Sequence, residues 1–310
     1  MLSARRVFAC LCIAVARGAD AQGVSATIVL EHPASARALA LGDAMVAVRD
    51  GDAALFTNPA LLEAVHGASS SVSGQRYLAG SSLAAASGAV RLLGGTLGIG
   101  LRGLNYGSVS EYVPDTANFG GQRGVATGRD VSASELAVTA GYARAAHRLH
   151  VGAAIGYVRQ QIADATGGAA TVDLGVAANL ARGIIVGATV QQLGSDLTLA
   201  GTSSPLPRAV RVGASLPLRR GSLGSLLMAE GVRKNGDTFP RGGVELSWRT
   251  ANGVTIVARG GMRGGTGEEV LSRYTFGAGI ATAHIALDVA SQRMGALGGA
   301  AHRVGLRFQR

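Results

Sequence analysis

The sequence is poor in charged residues, in aromatic residues and in long apolar runs. Charged side chains make up 15% of its 310 residues, against about 25% in an average soluble domain, and aromatic side chains make up 4%. With 47% hydrophobic residues, the chain is too apolar for a disordered polyelectrolyte. The longest clean apolar run, 7–16, has ten residues, whereas a membrane-spanning helix needs about 20. These shortages exclude a disordered protein and a membrane protein built from helices.

Cysteine is confined to the start of the chain, at Cys10 and Cys12. Both lie in the segment 1–21, which has the order of a secretory signal: an arginine pair, the apolar run, and then small residues. A short buried helix is the alternative. We predict a signal peptide over 1–21, cleaved before Gln22. The exported chain would contain no cysteine, so neither disulfides nor thiolate metal sites are expected.

Lysine occurs once, at Lys234, and the arginines are scattered singly, so the net charge of +10 does not indicate nucleic acid binding. Enzyme motifs of the G-x-S-x-G and H-E-x-x-H types do not occur. The G-x-G-x-x-G match at 98–103 lies within a predicted strand and opens no helix, which argues against a dinucleotide site. We therefore expect no catalytic residues, no metal, no cofactor and no nucleic acid partner.

The sequence is rich in glycine and in alternating apolar and polar residues. Glycine fills 47 positions, about twice its usual share. Over 171–180, Val172, Leu174 and Val176 alternate with polar or small residues, a period of two that is typical of β-strands. Each such segment has about 10–15 residues, and a transmembrane strand needs about 9–11. The fourteen predicted strands cover 69–78, 81–93, 95–106, 132–146, 148–162, 169–181, 182–194, 207–218, 223–234, 238–249, 252–262, 269–281, 282–293 and 300–309.

The connections between these strands alternate between short and long. The longest fall on every second link: 107–131, 195–206, 263–268 and 294–299. This arrangement is typical of outer-membrane barrels. A soluble β-sandwich, the alternative, would need shorter strands and more charge. We predict an all-β fold, a transmembrane antiparallel β-barrel of about 14 strands over 69–310, set in outer-membrane lipid.

The polar face of each predicted strand would look into the barrel, as in other outer-membrane barrels. Three arginines on this face, Arg211, Arg259 and Arg273, are candidate binding residues in the lumen. Glycines fill many of the other inward positions and would leave room for a segment of the chain inside. These glycines are Gly98, Gly100, Gly152, Gly156, Gly175, Gly213, Gly277 and Gly279.

Residues 22–68 do not alternate, and we predict that they form a small plug, or hatch, ahead of the first strand. The segment 34–41 is expected to form one or two helical turns. Asp52 is a candidate cap for a short helix over 53–56, because its side chain can accept a hydrogen bond from the first turn.

The end of the predicted plug carries its candidate binding element. Asn58 fits the N-cap of a short helix, and Pro59 fits its first position, where a missing N–H is tolerated. Phe56 and Leu61 would then pack against the inner wall of the barrel, where glycines leave space. We expect this element to close the lumen.

Two stretches of the plug, 36–48 (ARALALGDAMVAV) and 52–62 (DAALFTNPALL), resemble the N-terminal signature of the PorV/PorQ family. The segments 206–213 (LPRAVRVG) and 302–308 (HRVGLRF) are also similar to that family. The Asn-Pro-Ala element at 58–60 is the most specific part of the resemblance, which extends over the whole exported chain.

The resemblance implies a FadL-like barrel of fourteen strands with an N-terminal hatch in the bacterial outer membrane. It also implies two alternative functions. PorV itself is a binding accessory of type IX secretion, so its partners are secreted cargo proteins. FadL relatives pass long-chain fatty acids or other hydrophobic small molecules. The first expectation is a secretion accessory, and the alternative is a FadL-like channel.

Overall fold

The computed structural model describes residues 27–76, 80–117, 120, 123–264, 272–294 and 299–310, so the predicted signal peptide lies outside the described residues. The described residues form a closed barrel of fourteen antiparallel strands, which confirms the predicted fold class. Its strands are β1 Ala68–Arg76, β2 Ser82–Leu92, β3 Gly95–Pro114, β4 Gly124–Ala146, β5 Leu149–Ile162, β6 Ala165–Asn179, β7 Ile185–Gly194, β10 Ala209–Arg220, β11 Leu223–Lys234, β12 Asp237–Arg249, β13 Thr255–Arg263, β14 Tyr274–Ala281, β15 Ile285–Arg293 and β16 Ala300–Gln309. A separate hairpin, β8 Leu197–Leu199 and β9 Thr202–Ser204, belongs to the connection between β7 and β10.

The barrel closes between its first and last strands. β1 pairs with β16 from Ser69 opposite Gln309 to Arg76 opposite His302. Every other neighbouring pair is consecutive in the chain except β7 and β10, which pair directly although the β8–β9 hairpin lies between them in sequence. Closure lets backbone hydrogen bonds run between neighbours all the way around, as a membrane requires.

The prediction of a loop over 107–131 is wrong, because β3 continues to Pro114 and β4 already begins at Gly124. The two strands stay paired along this stretch, with two register shifts in the ladder. Gly107 and Gly128 have positive φ angles there. Such bulges interrupt the side-chain alternation of a strand, so the period of two is lost from the sequence although the strands persist.

The connections divide the barrel into a turn end and a loop end. The turn end has the connections 93–94, 147–148, 180–184, 221–222, 250–254 and 282–284. The longest connections lie at the loop end, as predicted: 115–123, 195–208 and 264–273. Two tight turns, 163–164 and 235–236, lie at the loop end as well. The C-terminal Arg310 pairs with Ala68 at the turn end.

The outer surface of the barrel is apolar. Leu174, Val212 and Leu287 point outward and are 49%, 55% and 43% exposed. Their strand neighbours Asp173 and Arg211 point inward and are buried. Exposed leucine and valine outside and charge inside reverse the pattern of a soluble protein and match a membrane barrel. Within the described residues, no helix is both long and apolar enough to cross a membrane.

Replacing Leu174 with arginine should lower the free energy of unfolding by about 2–4 kcal/mol, because this side chain lies in the middle of the outward face of β6. The same replacement at Leu180, which is exposed at the turn end of that strand, should lower it by at most about 1 kcal/mol, since the penalty declines toward the membrane surface. Urea unfolding from lipid vesicles measures both. Equal losses at the two positions would contradict the membrane orientation.

Candidate functional site

Residues 27–67 lie inside the barrel and form the plug. It contains α1 (Ala36–Ala40) and two 3-10 helices, Gly51–Phe56 and Pro59–Ala64. Most residues from 33 to 65 are buried. The hydrophobic core of the protein therefore lies between the plug and the inner wall of the barrel.

Local sequence explains the start and the end of α1. The Ser35 hydroxyl oxygen accepts a hydrogen bond from the backbone N–H of Ala38 at 3.0 Å, which caps the first turn. Gly42 and Asp43 have positive φ angles and end the helix. The helix is built from small residues, and a Cβ added at Gly277 would lie 2.5 Å from the side chain of its last residue. Helix and wall therefore meet through small residues on both sides.

Glycines of the inner wall allow the plug backbone to approach the strands. A Cβ built at Gly261 would lie 2.1 Å from the backbone nitrogen of Gly42. One at Gly187 would lie 2.2 Å from the carbonyl oxygen of Val46. Backbone atoms cannot rotate out of the way, so no larger residue fits at either place. Neither belongs to the predicted inward glycines; of those, Gly152 confirms that inward glycines make room for the plug, because a Cβ built there would lie 2.5 Å from the backbone nitrogen of Ala60.

Asn58 caps the last plug helix as predicted. Its side-chain oxygen accepts the backbone N–H of Ala60 at 3.1 Å, and Pro59 is the first residue of that 3-10 helix. Its side-chain nitrogen donates to the carbonyl oxygens of Val46 at 2.8 Å and Val176 at 3.2 Å. One side chain therefore ties two parts of the plug to β6.

Phe56 and Leu61 are buried against the wall. A Cβ built at Gly100 would lie 2.3 Å from the Phe56 ring, so this glycine accommodates the ring. Leu61 packs in a cluster with Val46 and Ile185. Both side chains fill the lumen, and their role in binding stays a prediction.

A buried charge cluster joins Asp43 of the plug to β10, β11 and β12. Arg211 pairs with Asp43 at 3.4 Å and with Glu230 at 2.5 Å, and Arg241 also pairs with Asp43. Glu230 accepts the backbone N–H of Val46 at 2.9 Å as well. Burial alone would raise the pKa of Asp43, but Arg211 and Arg241 outweigh burial and hold that pKa below its usual value.

A second cluster joins Arg37 and Asp50 of the plug to β12, β13 and β15. Arg37 pairs with Asp50 at 3.1 Å and with Glu245 at 2.8 Å. Arg259 extends the cluster by pairing with Glu245 and with Asp288, both at 2.6 Å. Burial lowers the pKa of Arg37, but its two carboxylate partners raise it above the ordinary value, so the guanidinium stays charged.

Two of the three lumenal arginine candidates, Arg211 and Arg259, belong to these clusters. The third, Arg273, does not, and its role in the lumen stays a prediction. β14 begins only at Tyr274, so Arg273 ends the preceding connection and is exposed. Its carbonyl oxygen accepts the backbone N–H of Arg263 there. The buried arginines thus hold the plug through ion pairs.

Asp52 contacts the wall rather than capping a helix. Its carboxylate accepts hydrogen bonds from the hydroxyls of Ser69, Ser71 and Ser87, each at 2.5 Å. These serines belong to β1 and β2. No side chain caps the 3-10 helix Gly51–Phe56, so the predicted cap is wrong, because three donors of the wall hold the carboxylate.

A small cavity remains between α1 and strands β1, β2 and β16. Its volume is about 20 Å³, and its lining includes Arg37, Asp50, Ser71 and Ser87. That volume and polar lining suit a single water molecule.

Apolar side chains fill the loop end of the lumen on the side of β2–β6. This group, the upper cluster, combines inward residues of the wall, the start of the plug and the connection that carries the β8–β9 hairpin. Its members are Val29, Leu30, Leu83, Leu104, Ala137, Val158, Ala169, Leu197 and Leu206. The upper cluster could not be predicted from the sequence, because two of its members lie in a predicted loop, where apolar residues follow no periodic pattern.

A second apolar group, the lower cluster, lies nearer the turn end along the same strands. Its members are Ala34, Leu55, Phe56, Leu62, Val65, Ala85, Ala89, Ala143 and Ala154. Here the wall contributes alanines and the plug contributes the large side chains, whereas in the upper cluster the wall contributes leucine and valine. In the lower cluster, wall and plug are therefore complementary in size.

Solved structures share this fold. The toluene transporter TodX of P. putida superimposes with a TM-score of 0.57 at 13% identity, covering 94% of this chain and 99% of TodX. The Ralstonia pickettii toluene transporter TbuX gives a TM-score of 0.55 at 14% identity, with 93% and 98% covered. A Pseudomonas aeruginosa FadL homologue gives 0.54 at 9% identity, with 89% and 98% covered. The chain shares the fold of these proteins.

Sequence comparisons add nothing to that result. No model of a known protein family matches the sequence, and no curated protein matches it. The resemblance to the PorV/PorQ family is therefore supported only as far as a FadL-like barrel. Sequence identities this low show only a shared fold, so the function has to be inferred from the residues of the site.

The lumen contains paired charges and apolar clusters. Among the residues that the structure describes, no three histidine, cysteine, aspartate or glutamate side chains are grouped so as to hold a metal ion. Most ion pairs between plug and wall lie on β10–β12 and β16, whereas the upper and lower clusters lie along β2–β6. At the loop end, buried apolar side chains of the plug, the wall and the connection with the β8–β9 hairpin pack together.

Proposed function

We propose that this protein is a channel of the bacterial outer membrane that admits hydrophobic small molecules. The upper cluster carries the proposal. It is a buried apolar compartment at the loop end, covered by the connection with the β8–β9 hairpin and closed below by the plug. A general porin, by contrast, has a polar, water-filled interior. The fold shared with TodX and TbuX, both described as toluene transporters, supports the same function.

The two sides of the lumen suggest where the route opens. Ion pairs fix the plug to β10, β11, β12 and β16, and one further pair joins Glu63 of the plug to Arg91 at the turn end of β2. Along β2–β6 the plug meets the wall largely through apolar side chains. A hydrophobic ligand can replace apolar contacts at little cost, whereas a broken buried ion pair leaves an uncompensated charge. The route therefore runs from the upper to the lower cluster while the charged anchors stay in place.

The proposed orientation follows outer-membrane barrels, with the loop end outside and the turn end in the periplasm. Export through the signal peptide 1–21 brings the chain to that membrane, and its partners are outer-membrane lipid and the hydrophobic cargo. The secretion-accessory function finds no support in the comparisons, because the similar structures reported above include two toluene transporters.

Uptake of radiolabelled toluene by cells without other hydrophobic-solute channels tests the proposal. Producing the protein should raise toluene influx and leave the influx of hydrophilic antibiotics unchanged. Replacing Leu197 with asparagine should reduce toluene influx about tenfold, because an unpartnered amide in the upper cluster costs about 1–3 kcal/mol.

Thr198→Asn is the matched control, since Thr198 is exposed on the same hairpin; it should leave toluene influx unchanged when the two variants are present in equal amounts in the membrane. Toluene influx no greater than in cells without the protein would refute the proposed function.

A further inference from the structure

Arg102 is the inward-facing residue of β3 that lies between the two apolar clusters. Gly100, one inward position toward the turn end, accommodates Phe56 of the lower cluster. Leu104, one inward position toward the loop end, belongs to the upper cluster. Arg102 lies between them and is only 6% exposed.

The partners of Arg102 are few for a buried cation. Its Nη1 donates to the carbonyl oxygen of Leu30 at 3.2 Å, and its guanidinium carbon lies 4.8 Å from the centroid of the Phe56 ring. Its Nε is buried without a hydrogen-bond acceptor, and it forms no ion pair, among the described residues. Arg211 and Arg259, by contrast, each pair with two carboxylates.

Asp173 of β6 is the buried carboxylate that acts most strongly on Arg102, but the two form no ion pair, so this counter-charge compensates the burial of the guanidinium only in part. An apolar side chain at this position would join the two clusters into one surface. One inward step nearer the turn end, opposite Gly100, a Cβ built at Gly156 would meet the hydroxyls of both Thr139 and Thr171. Polar side chains therefore lie on the turn-end side of the upper cluster on β3, β4 and β6.

We propose that Arg102 determines which hydrophobic molecules pass from the upper to the lower cluster, favouring aromatic over saturated ones; this step rests on the function proposed above. In the closed protein the Phe56 ring covers the guanidinium. A cation–π contact is weak enough to break and re-form. An aromatic molecule can replace the Phe56 ring with its own π face, whereas a saturated molecule leaves that face of the desolvated guanidinium without a partner.

Labelling of an introduced cysteine measures passage beyond Arg102 without depending on a natural cargo. In a chain with Cys10 and Cys12 replaced by alanine, Ala89→Cys places a thiol in the lower cluster, and Leu83→Cys places a reference thiol in the upper cluster. Intact cells are treated with N-phenylmaleimide or with N-cyclohexylmaleimide, whose substituent rings are similar in size, although only the phenyl ring is aromatic. The rate at Ala89→Cys is divided by the rate at Leu83→Cys for each reagent.

In the wild type, the normalised labelling rate should be higher for the phenyl reagent than for the cyclohexyl reagent. Arg102→Met should raise the normalised rate of the cyclohexyl reagent about tenfold, the effect of lowering a barrier by about 1.4 kcal/mol, and so abolish the preference. Arg102→Lys keeps the charge and should keep the barrier to the cyclohexyl reagent. Phe56→Leu, which uncovers the guanidinium without removing it, should also keep the preference for the phenyl reagent.

A preference that survives in Arg102→Met, or that is lost equally in Arg102→Lys, would overturn the proposal. Loss of the heat-resistant folded band on electrophoresis in Arg102→Met would overturn it as well, because Arg102 would then be a structural anchor. The two proposals fail separately. Absence of toluene influx refutes the channel function, whereas reagent selectivity at Ala89→Cys reports only on Arg102.

Discussion

Replacing Arg211 with methionine is expected to lower the free energy of unfolding by about 3–5 kcal/mol, because two buried carboxylates lose their shared cation. Arg211 lies between Glu230 at 2.5 Å and Asp43 at 3.4 Å. Arg241 would still pair with Asp43, but Glu230 would keep only the backbone N–H of Val46. The plug would therefore lose its ion pair with β10, and its digestion by added protease should accelerate.

Arg219→Met is the matched control, because Arg219 is exposed at the turn end of the same strand. It should change the free energy of unfolding by no more than about 0.5 kcal/mol. Urea unfolding of both variants from lipid vesicles gives the comparison. A loss at Arg211 that merely equals the loss at Arg219 would show that the cluster does not hold the plug.

Acidification gives a second readout of the same cluster. The pKa of Asp43 is lower in the folded protein than in the unfolded chain, because Arg211 and Arg241 stabilise its charged form. Its contribution is therefore complete above the unfolded pKa, about 3.9, and is lost as the pH falls through the lowered folded value. The wild type should lose this contribution in that window, and Arg211→Met should lose less.

Gly261→Val is expected to lower the free energy of unfolding by a comparable amount. The added Cβ would lie 2.1 Å from the backbone nitrogen of Gly42 and 2.3 Å from the carbonyl carbon of Leu41. Both atoms belong to the plug backbone just after α1, which cannot move aside without leaving the wall. We expect a loss of about 3 kcal/mol or more, the upper range of overpacking, with plug residues becoming accessible to protease.

Gly231→Val is the control for this replacement. Gly231 lies in β11, and a Cβ built there meets nothing within 4 Å. The variant should therefore unfold at the same urea concentration as the wild type. Similar losses for the two valine variants would mean that close packing of the plug on the wall contributes nothing specific.

Features that depend on neighbouring residues in the chain were predictable from the sequence. The alternation over 171–180 gives β6 its two faces, because strand periodicity is local. The cap by Asn58 and the helix start at Pro59 were also predictable, since a cap involves residues two or three positions apart.

The contacts of the plug were not predictable in the same way. Arg37 and Glu245 are 208 residues apart, and they meet only because closure of the barrel and the register of every strand bring them together. The upper cluster depends on the same closure, which places Leu197 and Leu206 of one connection over Leu104 of a distant strand. The full lengths of β3 and β4 could not be predicted for a different reason. The bulges between these two strands interrupt the period of two in the sequence.

The position of the plug at the start of the chain also sets the order of assembly. The plug is synthesised first, yet its carbonyl at Pro33 binds Arg303, 270 residues later, and Asp50 binds Arg307, 257 residues later. Contacts so distant in sequence form late in folding. They require β16, the last strand to be synthesised, which also closes the barrel against β1. Complete docking of the plug is therefore a sign of completed biogenesis: an open intermediate without β16 also lacks these two contacts, although the contacts of the plug with β10 and β12 do not require that strand.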